Sequence, residues 1–398
     1  MIMKTLEILF WTGLFIVFYT YIGYGILLYA LVRLKECFRK PIPRPLPADE
    51  ELPPLTLFIA AYNEEDVVDE KMRNCLQLDY PADKLRILWV TDGSNDHTNE
   101  HLSRWRQATV LHQPERQGKT AALNRGMPFV STPLVVFTDA NTCLNREALK
   151  EMVHAFADPR VGCVAGEKRI AVQSKDNAAS GGEGLYWKYE STLKALDARL
   201  YSAVGAAGEL FAVRRELFEE MPADTLLDDF ILSLRIVMQG HTIAYCANAY
   251  ALESGSANMR EEEKRKVRIA AGGLQSIWRL RPLLNPFRYG IFSFQYVSHR
   301  VLRWSVTPVL LFLLLPLNAL LAFTASAPLP YAVIWLLQAL FYLMGSWGHY
   351  LSAKQIKNKI LFIPYYFLFM NINVIRGFNY LRKRKGKANG AWEKARRA

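Results

Sequence analysis

Two stretches without a single charged residue decide what this chain can fold into. Residues 8–32 and residues 304–353 contain no Asp, Glu, Lys or Arg. A bilayer's hydrocarbon core takes about 20 apolar residues of helix, so the first stretch suffices for one span and the second for two. Ser326-Ala327-Pro328-Leu329-Pro330 is the natural turn of that hairpin. The first stretch is too long for a cleaved leader, and no small-x-small site follows it. A retained anchor over residues 1–35 is therefore expected, with a hairpin over 304–353. The 51% hydrophobic content of the 398-residue chain is concentrated here, and residues 50–285 between them read as an ordinary globular domain.

The net charge of +12 would by itself suit a nucleic-acid partner. Its basic residues, however, flank the apolar stretches. Arg33, Lys35, Arg39 and Lys40 follow the first; Lys354, Lys357 and Lys359 follow the second; Arg382-Lys383-Arg384-Lys385 begins the tail. Cationic loops stay cytoplasmic. The pattern points to an inner-membrane protein with a cytoplasmic domain, and nucleic acid is not an expected partner. Residues 360–375 are uncharged but short for a span, and they contain Pro364, Asn371 and Asn373. An interfacial or re-entrant segment is expected there, followed by a basic tail to residue 398. Residues 286–303 mix Phe292, Phe294, Tyr296 and Val301 with Arg288, His299, Arg300 and Arg303. That mixture suits a helix lying in the membrane surface, or a buried connector. The five cysteines form no CxxC pair, which excludes a zinc ribbon and fits a reducing compartment.

Within the globular domain, short apolar runs at 55–61, 85–90 and 134–137 each end in polar residues. Helical patterns near 64–78, 98–107, 119–129 and 146–156 lie between or after them. Such alternation predicts an α/β domain with a parallel sheet covered by helices. Ligands of such sheets bind beyond the carboxyl ends of the strands. Asp92 and Asp139, which close two of the runs, are thus expected at one crevice.

Asp139-Ala140-Asn141 is the sharpest candidate site. Two oxygen side chains at i and i+2 near a turn can share one divalent ion, the remaining shell coming from diphosphate oxygens. Arg116-Gln117-Gly118-Lys119-Thr120 fails as a phosphate loop, because Gln113 stands where that motif needs its first glycine. Lys119, opening a helix, can still meet a diphosphate. Asp96 reads as a cap, and His97 and His101 as surface residues lacking a third ligand. Asp228-Asp229 starts an apolar helical stretch. The pair is either a favourable first turn or a general base with its neighbour. Arg265-Lys266-Val267-Arg268 lies in a charged helix from which one arginine could clamp a diphosphate.

Taken in order, these motifs resemble the family 2 glycosyltransferases over roughly residues 53–280, including the membrane-anchored bacterial polysaccharide and glycolipid members. The resemblance implies a GT-A (Rossmann-like) nucleotide-sugar domain flanked by transmembrane helices. It implies donor contacts from Tyr62 and Glu64, from Asp92 of Asp92-Gly93-Ser94, from Lys119 and from Arg268. It implies Mg2+ or Mn2+ on Asp139 and Asn141, the second acid being an amide here. Gly208, Glu209 and Asp228 are implied at the acceptor, and Asp229 as catalytic base. The reaction implied is inverting transfer from a nucleotide-diphosphate sugar, UDP-linked, to a lipid-linked or saccharide acceptor at the membrane face. Processive members carry Gln-x-x-Arg-Trp, whereas here Arg265 and Ile269 replace its glutamine and tryptophan. Transfer of one sugar or a few is therefore expected, with a processive β-polysaccharide synthase and an inactive membrane scaffold as alternatives.

Overall fold

A computed structural model describes residues 1–38, 48–171, 178–254, 258–354, 356 and 358–384. Arg39, Lys40, Lys357, Lys385 and the rest of the expected basic tail lie outside these residues.

The chain opens with a continuous helix, α1 (Ile2–Phe38), 37 residues long. At about 1.5 Å per residue it is about 55 Å long, nearly twice the roughly 30 Å of a hydrocarbon core. Its two halves accordingly have different neighbours. The first half packs Phe10 against Leu314, Leu321 and Tyr331 of the C-terminal helices. The second half packs Tyr24, Leu28 and Val32 against Leu193 and Leu196 of the globular domain. The segment expected as a simple anchor is also a strut bonded to that domain.

The domain then runs β1 (Leu55–Ala61), α2 (Val68–Leu76), β2 (Leu85–Asp92), α3 (Thr98–Ser103), β3 (Ala108–Gln113), α4 (Lys119–Gly126) and β4 (Leu134–Asp139). These four strands are parallel, in the order β3-β2-β1-β4. Every residue of β1 is buried, as a strand covered on both faces requires. Phe58 and Ala60 enter one core, while Leu57 and Ile59 enter the other.

The second half follows with β5 (Cys143–Leu144), α5 (Ala148–Ala155), β6 (Val161–Ala171), α6 (Ala178–Leu200), β7 (Leu210–Arg214), α7 (Asp228–Met238), β8 (Thr242–Ser254) and α8 (Met259–Arg279). Here the sheet departs from the expected parallel form. β7 lies antiparallel to both β4 and β6, and the eight-stranded order is β3-β2-β1-β4-β7-β6-β8-β5. The reversal places the start of β7 against the end of β4, with Leu210 opposite Thr138. Gly208 and Glu209, just before β7, are thereby delivered to the strand-end crevice.

Residues 286–304 form short helical turns, including a π turn at Val297–Val301. Phe287 and Ile291 of this stretch are exposed. His299 and Arg300 are buried against α6, where His299 meets Asp197 at 2.6 Å and Arg300 meets Glu190 at 2.5 Å. These contacts tie the segment to α6 of the globular domain.

Three long helices follow among the described residues: α9 (Val306–Thr324), α10 (Pro328–Ala353) and α11 (Lys359–Arg384). The α9–α10 pair is the expected hairpin. Together with α1 and α11 it gives four helices long and apolar enough to cross a membrane. The surprise is α11, expected as a short interfacial or re-entrant piece. Pro364 lies in the second turn of α11, where it removes one backbone donor, and the Asn371 amide bonds back to the Phe367 carbonyl at 2.9 Å. Of its apolar stretch 44% is buried, against 11% for α10, because α11 also packs on the globular domain. Gly377 abuts Ala270 of α8, and Tyr366 donates to Glu262 at 3.1 Å.

Candidate active site

One cleft of about 1040 Å³ opens beyond the carboxyl ends of the parallel strands. Its wall includes Glu64, Lys119, Asp139, Asn141, Gly208, Glu209, Asp228, Asp229 and Arg268, so most of the predicted site converges in space.

Tyr62 and Asp92 do not line it. Tyr62 lies beneath the Arg116 guanidinium, 3.9 Å from the ring centre. Asp92 is fully buried, and its carboxylate accepts the N–H groups of Gln117 and Gly118, the latter at 2.6 Å, beside Arg125 at 3.5 Å. Asp92 thereby fastens the turn that presents Lys119. Gly93 completes the turn with φ +68°, where a Cβ would lie 2.7 Å from the Arg116 nitrogen. The 62–65 loop is tied to the 92–98 loop, with Asn63 N–H donating to Ser94 and Glu64 N–H to Thr98.

At the centre, the Lys119 ammonium donates to Asp139 at 2.7 Å and stands 3.8 Å from Asp228. A Cβ on Gly208 would lie 3.3 Å from both the Lys119 Nζ and the Asp229 Oδ2, so the absence of a side chain keeps this space open. Burial opposes the Lys119 charge, but Asp139 and Asp228 outweigh it and hold the proton more tightly than usual. Burial and the neighbouring Asp228 push the Asp229 carboxyl up to about 7, against the pull of Lys119. The Asp229 carboxylate also accepts the Phe230 N–H at 2.7 Å. Such a carboxyl suits a general base working near neutrality.

Asp139 and Asn141 fit a divalent cation by donor chemistry, being hard oxygens on one cavity wall. Asp228 adds a buried oxygen, Oδ2, that accepts no hydrogen bond. Among the described residues no three His, Cys, Asp or Glu side chains group as a metal site. A cation here would need oxygens from a bound nucleotide diphosphate, the usual arrangement for magnesium. The histidines stay outside this chemistry, His97 pairing with Glu65 and His101 with Asp69.

Glu209, expected at the acceptor, lines the cleft and is also held by internal cations. Its carboxylate is held by Lys168 at 2.6 Å and Arg265 at 3.2 Å, and Lys168 also pairs with Glu253. Burial would raise its pKa, but these two cations take it well below the usual carboxylate range. Arg265 is thus committed to an internal network, while Arg268 and Ile269 face the cleft.

Several wall residues carry no sequence signal. Lys71 is buried on α2 and donates to Thr138 at 3.0 Å and to the Thr142 carbonyl at 2.7 Å. It clamps the turn that carries Asp139 and Asn141. Lys194, Glu190, Arg300, Trp304, Met370 and Val374 also line the cleft from elements beyond the strand ends. No motif marks them, because they arrive by packing of distant helices.

Residues 56–221 match the family described as Glycosyl transferase family 2. The poly-beta-1,6-N-acetyl-D-glucosamine synthase of Staphylococcus aureus (strain MSSA476) is 27% identical over 242 residues, covering 58% of this chain and 57% of that protein. The beta-monoglucosyldiacylglycerol synthase of Synechocystis sp. is 26% identical over 323 residues, covering 76% of this chain and 64% of that protein. The matched part is under two thirds of either relative's length. Among solved structures, the mannosyltransferase PcManGT from Pyrobaculum calidifontis, in complex with GDP-Man and Mn2+, superposes with a TM-score of 0.69 at 24% identity. That match covers 94% of this chain and 99% of the other, and shows a shared GT-A fold.

Proposed function

We propose that this chain, which carries a family 2 glycosyltransferase domain of GT-A fold, moves a sugar from a nucleotide-diphosphate donor to a lipid-linked or saccharide acceptor at the cytoplasmic face of the inner membrane. The observation that carries this reading is the Asp228-Asp229 pair facing Lys119 and Asp139 across one cleft. Polysaccharide- and glycolipid-making relatives, a fold neighbour bound to GDP-Man and Mn2+, and four long apolar helices support it.

The residues divide the work. Lys119 and Arg268 supply positive charge for the donor diphosphate, and Glu64 stands at the same rim. A Mg2+ or Mn2+ ion held by Asp139 and Asn141 would neutralise charge gathering on the leaving diphosphate. Asp229 takes the proton of the acceptor hydroxyl, whose oxygen attacks the anomeric carbon from the face opposite the leaving group. Single displacement inverts that carbon, so an α-linked donor gives a β-linked product. The donor is proposed to be UDP-linked.

The expected result is that Asp229→Asn still folds and binds donor but loses transfer by about 100-fold or more, the lower range of general-base effects. Near-normal transfer by this variant would remove Asp229 from the base role. The match to a polymer synthase keeps a processive alternative in view, whereas Ile269 favours adding one sugar or a few. Product length rising with donor supply would favour the polymer.

A further inference from the structure

The cleft has two ends of different chemistry, and the sequence motifs explain only one. Lys119, Asp139 and Asn141 form the charged end. Elsewhere the wall includes Ile269 and Ala270 of α8, Trp304, and Met370 and Val374 of α11, with Lys266 and Arg300 beside them. Asp229 lines the same cleft.

Trp304 is placed there by specific contacts. Its indole meets the Phe230 ring edge-to-face, with centroids 5.0 Å apart. Phe230 follows Asp229 in the chain and donates its N–H to the Asp229 carboxylate, so the indole is one ring away from the base. Gly273 makes the room, since a Cβ at that position would lie 2.5 Å from the indole. Gly273 is one helical turn after Ile269, on the same face of α8. The aromatic ring absent from position 269 is thus brought to that helix face from a different segment. Arg300 lies 5.4 Å from the centre of the same ring and is pinned by Glu190.

What the ring faces follows from its place in the chain. Trp304 immediately precedes α9, and Met370 and Val374 belong to α11, two helices long and apolar enough to cross a membrane. Tryptophan at such a boundary sits at head-group level, with one apolar face and one polar edge. An acceptor reaching the cleft along α11 would present an apolar chain to Met370 and Val374 and its head to the indole.

We propose that Trp304 is the platform of the acceptor subsite and that the acceptor it positions is a lipid, its hydroxyl turned toward Asp229. This rests on the sugar-transfer reading above. The test uses the full-length protein in phosphatidylcholine vesicles, with or without a bacterial total lipid extract, and labelled UDP- and GDP-sugars. Trp304→Ala should raise the apparent KM for the extract tenfold or more, leaving kcat within twofold. The KM for the donor nucleotide-sugar should move less than the KM for the extract. Trp304→Phe should keep most of the affinity, and Ile269→Trp in the Trp304→Ala background should restore part of it. A thermal melt of each variant separates loss of fold from loss of acceptor. An unchanged KM for the extract, an equal rise of both KM values, or label found only on soluble sugar acceptors would overturn the proposal. If the wild type releases no nucleoside diphosphate from any donor, the sugar-transfer reading itself fails and this subsite falls with it.

Discussion

The two ends of the cleft are built by different rules. At the donor end, Asp139 closes a parallel strand, Asn141 follows in the same turn, and Lys119 is the first residue of a helix. Each is placed by local geometry, and neighbouring strands bring them together. At the acceptor end, Ile269, Trp304, Met370 and Val374 come from three separate helical segments. Their meeting depends on glycines and alanines of α8 that let other elements approach. Gly272 admits Leu226 and Leu227, Gly273 admits Trp304, and Ala270 receives Gly377. The charged wall is thus fixed by short-range structure, and the apolar wall by how the long apolar helices dock.

That contrast breaks first at Asp139. Losing an outer-shell partner costs a metal site about 10–100-fold, so losing a direct ligand should cost at least about 100-fold. Asp139→Ala is therefore expected to abolish most Mn2+-dependent binding of UDP- or GDP-sugars in calorimetry. Undiminished binding would detach the metal from the donor end.

The base that lines the same cleft is sharpened by pH. Burial and Asp228 raise the Asp229 pKa to about 7, and the working form is the carboxylate. The transfer rate should therefore fall as pH drops through about 7 rather than through the ordinary carboxylate range. Asp228→Asn removes one of the causes and should move this acid limb to lower pH. A limb that stays in place would show that the Asp228 charge does not reach its neighbour.

Smaller effects are expected where residues only support the donor end. Asp92→Asn leaves buried N–H groups with a weaker acceptor, at a cost of about 1–3 kcal/mol. A thermal melt should fall, and the donor KM should rise more than kcat drops, because the Lys119 turn loosens. Smallest of all, His97→Ala should change stability by under about 0.5 kcal/mol, since its pair with Glu65 lies at the surface. Dependence of activity on the histidines would mean that the metal sits elsewhere.

Legibility in the sequence followed the same division. The runs at 55–61, 85–90 and 134–137 gave three of the strands, because buried parallel strands are short apolar runs closed by polar turns. Two of them extend a little further, to Asp92 and Asp139. The direction of β7 was not legible, since nothing in residues 210–214 encodes which neighbour they meet. Asp92 could be placed at a strand end but not oriented, and the backbone donors of residues 117 and 118 turn it inward. Glu209 was found, but its ion pairs were not legible, because Lys168, Glu253 and Arg265 are distant in sequence. Trp304 was visible only as the first residue of an uncharged stretch. Its place beside Asp229 needs the close approach to Gly273, which no periodicity announces.

The central claim is that this one cleft, with Asp229 on its wall, cleaves a nucleotide-sugar. The direct measurement is nucleoside diphosphate release by the purified full-length protein over a panel of UDP- and GDP-sugars, with divalent cation and vesicles containing a bacterial lipid extract. The expected result is release from at least one donor that needs Mg2+ or Mn2+, increases with the extract and disappears in Asp229→Asn. Release from no donor, or equal release by the wild type and Asp229→Asn, would contradict it.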